Sequence, residues 1–295
     1  MELFIFIGLS GEFSCETMEF GLDIWLLYPS LGLEKTLETV EREGFRYIEY
    51  PYEMFRDAGE NLMRRVKEVA EKAKSYSVKP YQVHGEYGDI NFELTSGDPV
   101  SREKALGRME EWLRYASMLE ADVLVVHLGF PRPRLDETYD RVIEGVVKLN
   151  VEIARRLAEV GEEYGVRVAF ENCVEPWFGA SPADLLLLLE EADVQGLGVC
   201  LDTGHLNVNG LDVAGSIRRL GDAIIATHLH DNDGRYDQHL PPLAGSIDWR
   251  EVLKAFREIK FDKPLIYEFG SQRGQSPENI VATLRLVTGY LKSIG

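Results

Sequence analysis

The feature that most constrains the fold is a regular alternation of strand-like and helix-like segments along the chain. Apolar runs of strand length recur eight times, and a helical pattern follows each of them. The predicted strands are Phe20–Trp25, Phe45–Tyr50, Val78–His84, Val123–His127, Val166–Glu171, Leu197–Asp202, Ala223–His228 and Pro264–Glu268. Such alternation implies a parallel sheet, and eight units imply closure into an α/β fold of the (β/α)8 TIM-barrel type.

Several of the predicted helices carry clear start signals. Ser181 precedes Pro182 and Ser276 precedes Pro277, so each serine can cap a helix whose first residue is proline. Asp248 is a similar N-cap before a helical pattern. The helices are predicted to begin at Leu33, Gly59, Val100, Thr138, Ser181, Asp212, Asp248 and Pro277.

The length of the chain fits one domain. With 295 residues and 45% hydrophobic content it can bury a sizeable core, and a barrel of this length is commonly a single domain. We therefore expect a barrel over residues 19–295 and a short N-terminal extension over residues 1–18. The apolar run of the extension is short and carries Glu2 where a signal peptide is basic, so we interpret it as an extra strand or flap. Met18 directly precedes the first strand, and a translation start there is a further hypothesis.

Charge and cysteine content narrow the choice of partners. A formal net charge of -18 and a pI near 4.8 disfavour nucleic acid, because 50 acidic residues against 32 basic ones leave little spare positive surface. Cys15, Cys173 and Cys200 are too few and too scattered for a disulfide framework and are expected to be buried. We therefore expect a cytoplasmic protein that acts on a small molecule and has no membrane partner, and the sequence leaves a homo-oligomer open.

Most of the predicted strands end on a group that can bind a metal ion or move a proton. Active sites of TIM barrels lie at the carboxyl ends of the strands. The groups there are Glu49, His84, His127, Glu171, Asp202, His228 and Glu268, with His230 and Asp231 just beyond His228. Burying so many polar groups without partners would be costly, and a bound divalent cation removes that cost. Oxygen and imidazole ligands fit Mn²⁺, Zn²⁺, Co²⁺ or Mg²⁺.

Short motifs at these strand ends carry a family resemblance. They are His84-Gly85, Val126-His127-Leu128-Gly129, Phe170-Glu171-Asn172, the run from Cys200 to His205 with Gly210 beyond it, His228-Leu229-His230-Asp231, Asp237-Gln238-His239 and Tyr267-Glu268. From about Met18 onward the chain resembles the xylose isomerase-like TIM-barrel superfamily. That superfamily contains sugar and sugar phosphate isomerases and epimerases, and also the endonuclease IV type of abasic-site nuclease (AP endonuclease family 2).

The resemblance implies a metal site formed by Glu171, Asp202, His228 and Glu268. In the isomerases and epimerases, the residues matching Glu171 and Glu268 also serve as base and acid, and the residue matching His205 contacts the substrate. The function implied for this chain is a divalent-metal-dependent sugar isomerase or epimerase that works through an enediolate. The sequence leaves open which sugar is used, whether it is phosphorylated, and whether epimerisation or aldose–ketose isomerisation results.

The same resemblance keeps an abasic-site DNA endonuclease as the alternative. In that nuclease the matching positions hold a three-metal cluster, in which His84 and His127 share Glu171 at a second ion. The third ion would be held by His205, Asp237 and His239. A non-catalytic sugar-binding protein is a further hypothesis, which two opposed glutamates at a metal disfavour.

Two loops favour a sugar over a nucleic acid. After the Asp-x-His motif the chain reads Leu240 to Ser246, where the nuclease usually has a Gly-Glu-Gly run. The segment from Val174 to Phe178 replaces a glycine- and serine-rich loop of the nuclease. Trp177 and Phe178 in this segment are interpreted either as an apolar wall for a sugar or as loop packing.

Other polar residues near the strand ends have lesser predicted roles. His84 and His127 are expected to contact the substrate if they bind no metal, and Arg235 is a candidate substrate contact. Arg132 and Arg134 are interpreted as solvated loop charges in preference to an anion clamp. Supporting roles outside the chemistry are predicted for three acids, Glu49, Glu86 and Asp231.

Overall fold

The computed structural model of the chain describes residues 18–130, 139–271 and 274–294. Within the second range, only the backbone is described for residues 139–141. The predicted N-terminal flap, Cys15, Arg132 and Arg134 lie outside the described residues. The strands are β1 Phe20–Asp23, β2 Tyr47–Tyr50, β3 Lys79–His84, β4 Val123–Val126, β5 Arg167–Glu171, β6 Leu197–Asp202, β7 Ile224–His228 and β8 Leu265–Tyr267. All eight predicted strands are thus confirmed, some of them shorter than expected.

The strands form one parallel sheet that is nearly closed into a barrel. Neighbours follow the chain order from β1 to β7, and β8 pairs with β1. Only a short contact joins β7 to β8: the Leu229 N–H donates to the Ile266 carbonyl at 2.8 Å, and the Glu268 N–H donates to the Leu229 carbonyl at 3.2 Å. The predicted (β/α)8 fold class is therefore confirmed.

The helices lie between the strands, as the alternation predicted. They are α1 Tyr28–Arg42, α2 Leu62–Ala73, α3 Asp89–Leu94, α4 Pro99–Met118, α5 Tyr139–Tyr164, α6 Pro182–Ala192, α7 Thr203–Val208, α8 Val213–Leu220, α9 Trp249–Glu258 and α10 Pro277–Ile294. The predicted caps are present: the Ser181 hydroxyl accepts from the Asp184 N–H at 3.3 Å, and the Asp248 carboxylate accepts from the Arg250 N–H at 3.1 Å.

Two glycines with positive φ determine where the first two helices begin. Leu33 begins the regular part of α1, because Gly32 before it has a φ of 72° that interrupts the helix. The start predicted at Gly59 is wrong: Gly59 has a φ of 49° within a 3₁₀ segment, Arg56–Asn61, and α2 begins only at Leu62. A left-handed glycine ends one segment and cannot open a right-handed helix. The short helices α3 and α7 have too few residues to show a periodic pattern and were not predicted.

The core has an inner and an outer part. A small cluster fills the inside of the barrel, where the Tyr81 hydroxyl crosses the barrel to donate to the Ile225 carbonyl at 2.7 Å. The larger cluster lies between the sheet and the helices. Cys173 and Cys200 are buried and unpaired, as predicted. None of the described helices is long and apolar enough to cross a membrane.

Buried polar side chains fix the loops at the carboxyl end of the barrel. Asn150, on α5, accepts from the Gly129 N–H at 2.7 Å and donates to the Gly129 carbonyl at 3.0 Å. Asp231, after β7, accepts from the N–H groups of Gly245 and Ile247 and from the indole of Trp249. These contacts confirm the supporting role predicted for Asp231 and hold the loops that border the strand ends.

Replacement of Asn150 by alanine is expected to lower the free energy of unfolding by about 1–3 kcal/mol, because it leaves buried N–H and carbonyl groups of Gly129 without partners. Chemical denaturation measures the change. Glu152→Ala, on the exposed side of the same helix, is the control and should change stability by less than about 0.5 kcal/mol. Equal effects of the two variants would contradict the role of Asn150 in holding the loop at Gly129.

Candidate metal centre and active site

Each of the eight strands has an acid or a histidine within one residue of its carboxyl end. The groups are Asp23, Glu49, His84, His127, Glu171, Asp202, His228 and Glu268, in strand order. The sequence analysis missed Asp23, although an acid directly after Phe20-Gly21-Leu22 follows the same rule as the others. Asp23 ends β1 because its carboxylate accepts from the Trp25 N–H at 2.7 Å and turns the chain.

Glu171 lies at the centre of the group. Its Oε2 atom lies 3.3 Å from Nε2 of His84 and 3.1 Å from Nε2 of His127. Its Oε1 atom lies 3.2 Å from Nδ1 of His228 and 3.4 Å from Nδ1 of His205. The side chain is only 2% exposed, so four histidine rings replace water around this carboxylate.

The four residues predicted to form the metal site come together. Ligand atoms of Glu171, Asp202, His228 and Glu268 all lie within 4.8 Å of one another. Nδ1 of His228 is buried without a hydrogen-bond partner and lies 3.2 Å from Glu171 and 3.4 Å from Glu268. An unpartnered imidazole nitrogen facing carboxylate oxygens fits the donor set of Mn²⁺, Zn²⁺ or Co²⁺.

Backbone carbonyls orient two further histidines. Nδ1 of His84 faces the Gly85 carbonyl at 2.9 Å, and Nδ1 of His205 faces the Asn172 carbonyl at 2.8 Å. A carbonyl oxygen can only accept, so Nδ1 carries a proton in both rings, and Nε2 is the nitrogen that offers its lone pair to the site when the ring is neutral. Both rings are therefore oriented as ligands or as acceptors of a substrate hydroxyl.

The additional metal ligands predicted for the nuclease alternative also lie together. Asp237 Oδ2 lies 3.3 Å from Nε2 of His205 and 3.0 Å from Nε2 of His239. His230, which was not predicted as a site residue, lies between the two groups: its Nε2 is 3.0 Å from Asp202, and its ring stacks on His239 at 4.1 Å. All six histidines of the chain thus belong to this cluster.

The motif that contains His205 has a steric reason for its glycine. A Cβ atom on Gly204 would lie 1.8 Å from the His230 ring, so only glycine fits there. Asp202 caps α7 by accepting from the His205 N–H at 2.6 Å, and Asn172 exchanges two hydrogen bonds with the Asp202 backbone. The motif therefore fixes Asp202, His205 and His230 against one another.

The histidines and acids shift one another's pKa values. Burial alone would lower the pKa of His84, but the contact with Glu171 outweighs it and raises the pKa to about 9. Burial likewise opposes the charge of His239, while Glu268 and Asp237 raise its pKa to about 9. Although burial acts in the other direction, His228 and His127 hold the pKa of Glu171 well below its ordinary value. Burial, with Glu49 and Glu268 nearby, raises the pKa of Asp23.

A cavity of about 400 Å³ opens above the cluster. Its lining includes five aromatic side chains, namely Trp25, Tyr87, Phe92, Phe130 and Trp177. It also includes six acids, namely Asp23, Glu53, Glu171, Glu175, Asp237 and Glu268, and four histidines of the cluster. No lysine or arginine lines the cavity among the described residues.

The loop residues considered as substrate contacts lie in different environments. Trp177 lines the cavity, whereas Phe178 is 5% exposed and packs in the hydrophobic core. The wall interpretation thus fits Trp177, and the packing interpretation fits Phe178. Arg235 is exposed and is not among the described residues that line the cavity, and its N–H donates to the Asp233 carboxylate at 3.0 Å. Its contact with substrate stays a prediction.

Comparison with known proteins agrees with this geometry. A family profile described as xylose isomerase-like TIM barrel matches residues 37–290. The chain belongs to that family. The resemblance seen in the sequence is therefore confirmed.

Relatives and solved structures include two kinds of enzyme. An uncharacterized protein of Methanocaldococcus jannaschii is 27% identical and covers 83% of this chain and 81% of its own. A D-psicose 3-epimerase of Enterocloster bolteae is 25% identical over 80% of this chain and 76% of its own. An endonuclease 4 of Thermus thermophilus is 29% identical over 64% of this chain and 68% of its own. The crystal structure of a D-tagatose 3-epimerase-like protein shares the fold, with a TM-score of 0.78 at 24% identity over 94% of this chain and 98% of its own.

In chelator-treated protein, stability is expected to fall as the pH rises from about 6.5 to about 9. The pKa values of His84 and His239 are raised from 6.5 to about 9, so the stabilisation from their charged forms is complete below 6.5 and is lost as the pH passes 9. Thermal unfolding in a chelator at both pH values measures this. Metal-loaded protein should show the opposite trend, since ligands must lose protons to bind a cation. A rise in the stability of the chelated protein toward pH 9 would contradict the assignment.

Proposed function

We propose that the protein is a divalent-metal-dependent sugar epimerase or isomerase. The observation that carries the proposal is a pair of carboxylates that line the cavity, Glu171 and Glu268, both within 3.4 Å of the unpartnered Nδ1 of His228. Asp202 completes the group. The D-psicose 3-epimerase among the relatives supports this function over a binding role.

The proposed chemistry is proton transfer at a carbon next to a carbonyl. A divalent cation held by Glu171, Asp202, His228 and Glu268 would stabilise negative charge that develops on the sugar oxygens. One glutamate takes the proton from carbon, and a proton from the other glutamate on the opposite face gives the epimer. Return of the proton to the neighbouring carbon gives aldose–ketose isomerisation instead. His205, which lines the cavity with its Nε2 3.3 Å from Asp237, would contact a substrate hydroxyl.

The walls of the cavity favour a free sugar over a sugar phosphate. A phosphate group is usually held by arginine, lysine or clustered N–H donors. The described lining carries acids, aromatic rings and the four histidines His84, His127, His205 and His239, which already face carboxylates. Trp25, Tyr87 and Trp177 offer flat apolar faces to the C–H side of a sugar ring, and the acids accept from its hydroxyls. The proposed substrate class is therefore an uncharged ketose.

Glu268→Gln is expected to lower turnover of a ketose by about 100-fold or more, because the amide cannot transfer a proton. A panel of free ketoses and their phosphates, incubated in D₂O, measures both product formation and deuterium incorporation at carbon. Glu258→Gln, whose side chain is 45% exposed and pairs with Arg218, is the matched control and should keep full activity. Undiminished deuterium incorporation by the Glu268 variant would rule out the assigned role.

The second candidate is the abasic-site endonuclease, which one observation favours. His84 and His127 converge on a single oxygen of Glu171, and Asp237 bridges His205 and His239, as a multi-metal cluster requires. The net charge of -18 and the acidic cavity oppose the approach of DNA.

The number of bound ions separates the two candidates. Elemental analysis of protein purified without chelators or an affinity tag is expected to give about one divalent ion per chain. About three ions, zinc above all, together with cleavage of abasic-site DNA, would favour the endonuclease. The absence of any bound divalent ion would contradict both proposals.

A further inference from the structure

His228 has an unusual outer partner. Its Nε2, on the side away from Glu171, lies 2.8 Å from Oε2 of Glu49. Glu49 stands at the end of β2 and is completely buried. Gln82, also completely buried, donates its amide to the same Glu49 oxygen at 2.6 Å and to the Thr227 carbonyl at 3.2 Å. A chain of polar contacts thus runs from β3 through β2 to the histidine on β7.

Stability alone does not explain a carboxylate at this position. Its second oxygen, Oε1, is buried without a hydrogen-bond partner, and so is Oε1 of Gln82. Neighbouring acids, Glu171 and Glu268, also surround the histidine that Glu49 contacts. A buried carboxylate that is only partly satisfied costs free energy, and an apolar side chain of the same volume would avoid that cost.

The backbone partners of His84 and His205 are neutral. Backbone carbonyls hold His84 and His205, whereas a carboxylate holds the ring of His228. A carboxylate that accepts from one imidazole nitrogen fixes the tautomer and strengthens the other nitrogen as a metal ligand. Nδ1 of His228, which faces Glu171 and Glu268, lacks a hydrogen-bond partner, as do the Nδ1 atoms of His230 and His239.

We propose that Glu49 is a positioning residue of the metal centre. Its carboxylate accepts a hydrogen bond from the Nε2–H group of His228, so that the Nδ1 lone pair points toward Glu171 and Glu268. Gln82 holds Glu49 in place. The inference rests on the proposed metal-dependent function. It assigns to Glu49 and Gln82 a role in metal affinity without contact to the ion or the substrate.

Glu49→Gln tests the charge while keeping the shape. The amide oxygen can still accept from His228, so the ring stays in place, but the donor strength of Nδ1 falls. Affinity for Zn²⁺ or Mn²⁺, measured by competition with a chromophoric chelator, is expected to fall about 10- to 100-fold. The chelated variant should unfold at the same temperature as the chelated wild-type protein or at a higher one, because a buried charge is gone.

Nitrogen-15 NMR of the histidine rings supplies a readout that a purely structural role would not move. In the zinc-loaded wild-type protein, His228 should carry its proton on Nε2. In Glu49→Leu, which removes the acceptor, the Nε2 proton should lose its hydrogen-bonded shift and exchange faster with water. Gln82→Met should lower metal affinity in the same direction but by less, because it removes one of the two contacts of Glu49.

Asp231→Asn is the matched control, since Asp231 is equally buried but accepts from loop N–H groups. It should lower the unfolding temperature and leave metal affinity within about twofold of wild type. If the wild-type protein binds metal and Glu49→Gln binds it with the same affinity, this inference is wrong and the proposed function is unaffected. Loss of stability in the chelated Glu49→Gln protein, parallel to its loss of affinity, would also overturn it in favour of a structural role. Failure of the wild-type protein to bind a divalent ion would overturn the proposed function and this inference with it.

Discussion

The contacts around Glu171 govern the organisation of the carboxyl end of the barrel. Four histidine nitrogens lie within 3.4 Å of one carboxylate that is almost fully removed from water. Such an anion is tolerable only where positive charge or hydrogen-bond donors surround it closely. The chain has an excess of acids, yet it places all six of its histidines in this cluster. Compensation of buried carboxylates thus determines where the imidazoles stand.

The barrel makes that concentration of charge mechanically feasible. Parallel strands bring eight chain segments to one rim, and each contributes one polar group at its end. Buried amides and acids then fix the segments that follow: Asn172 holds the backbone of Asp202, and Asp231 holds the loop after β7. Because Gly204 has no side chain, the His230 ring can lie directly against its backbone. The side chains of the site therefore lie at strand ends and on loops that buried hydrogen bonds hold in place. Such rigid positioning suits a reaction that depends on short distances between reacting groups.

Much of this arrangement could be predicted because the relevant signals are local. An apolar run that stops at an acid or a histidine marks a strand end, and the fold then brings these end groups to one rim of the barrel. The choice of Glu171, Asp202, His228 and Glu268 among them came from the family resemblance. Other features depend on geometry that no local pattern contains. The contact between Glu49 and His228 joins residues 179 positions apart, and the stacking of His230 on His239 depends on how a loop returns. Phe178 and Trp177 are neighbours in sequence, but only the course of the backbone decides which of them faces the cavity.

The charge of the substrate and the number of metal ions are physically coupled in this site. The four-residue group supplies three carboxylates, Glu171, Asp202 and Glu268, which outweigh the charge of one divalent cation. A second ion at His84 and His127 would share Glu171 and bring two positive charges without a new anionic ligand. Two ions would leave one positive charge over these three carboxylates, a balance that suits an anionic substrate such as the phosphate of a nucleic acid. Under the proposed function the substrate is a neutral sugar, and a single ion is the expected number. The proposed role of Glu49 agrees with that expectation. Glu49 contacts His228 where His84 and His205 have carbonyls, and it would strengthen the ligand set whose own carboxylates can balance one divalent cation.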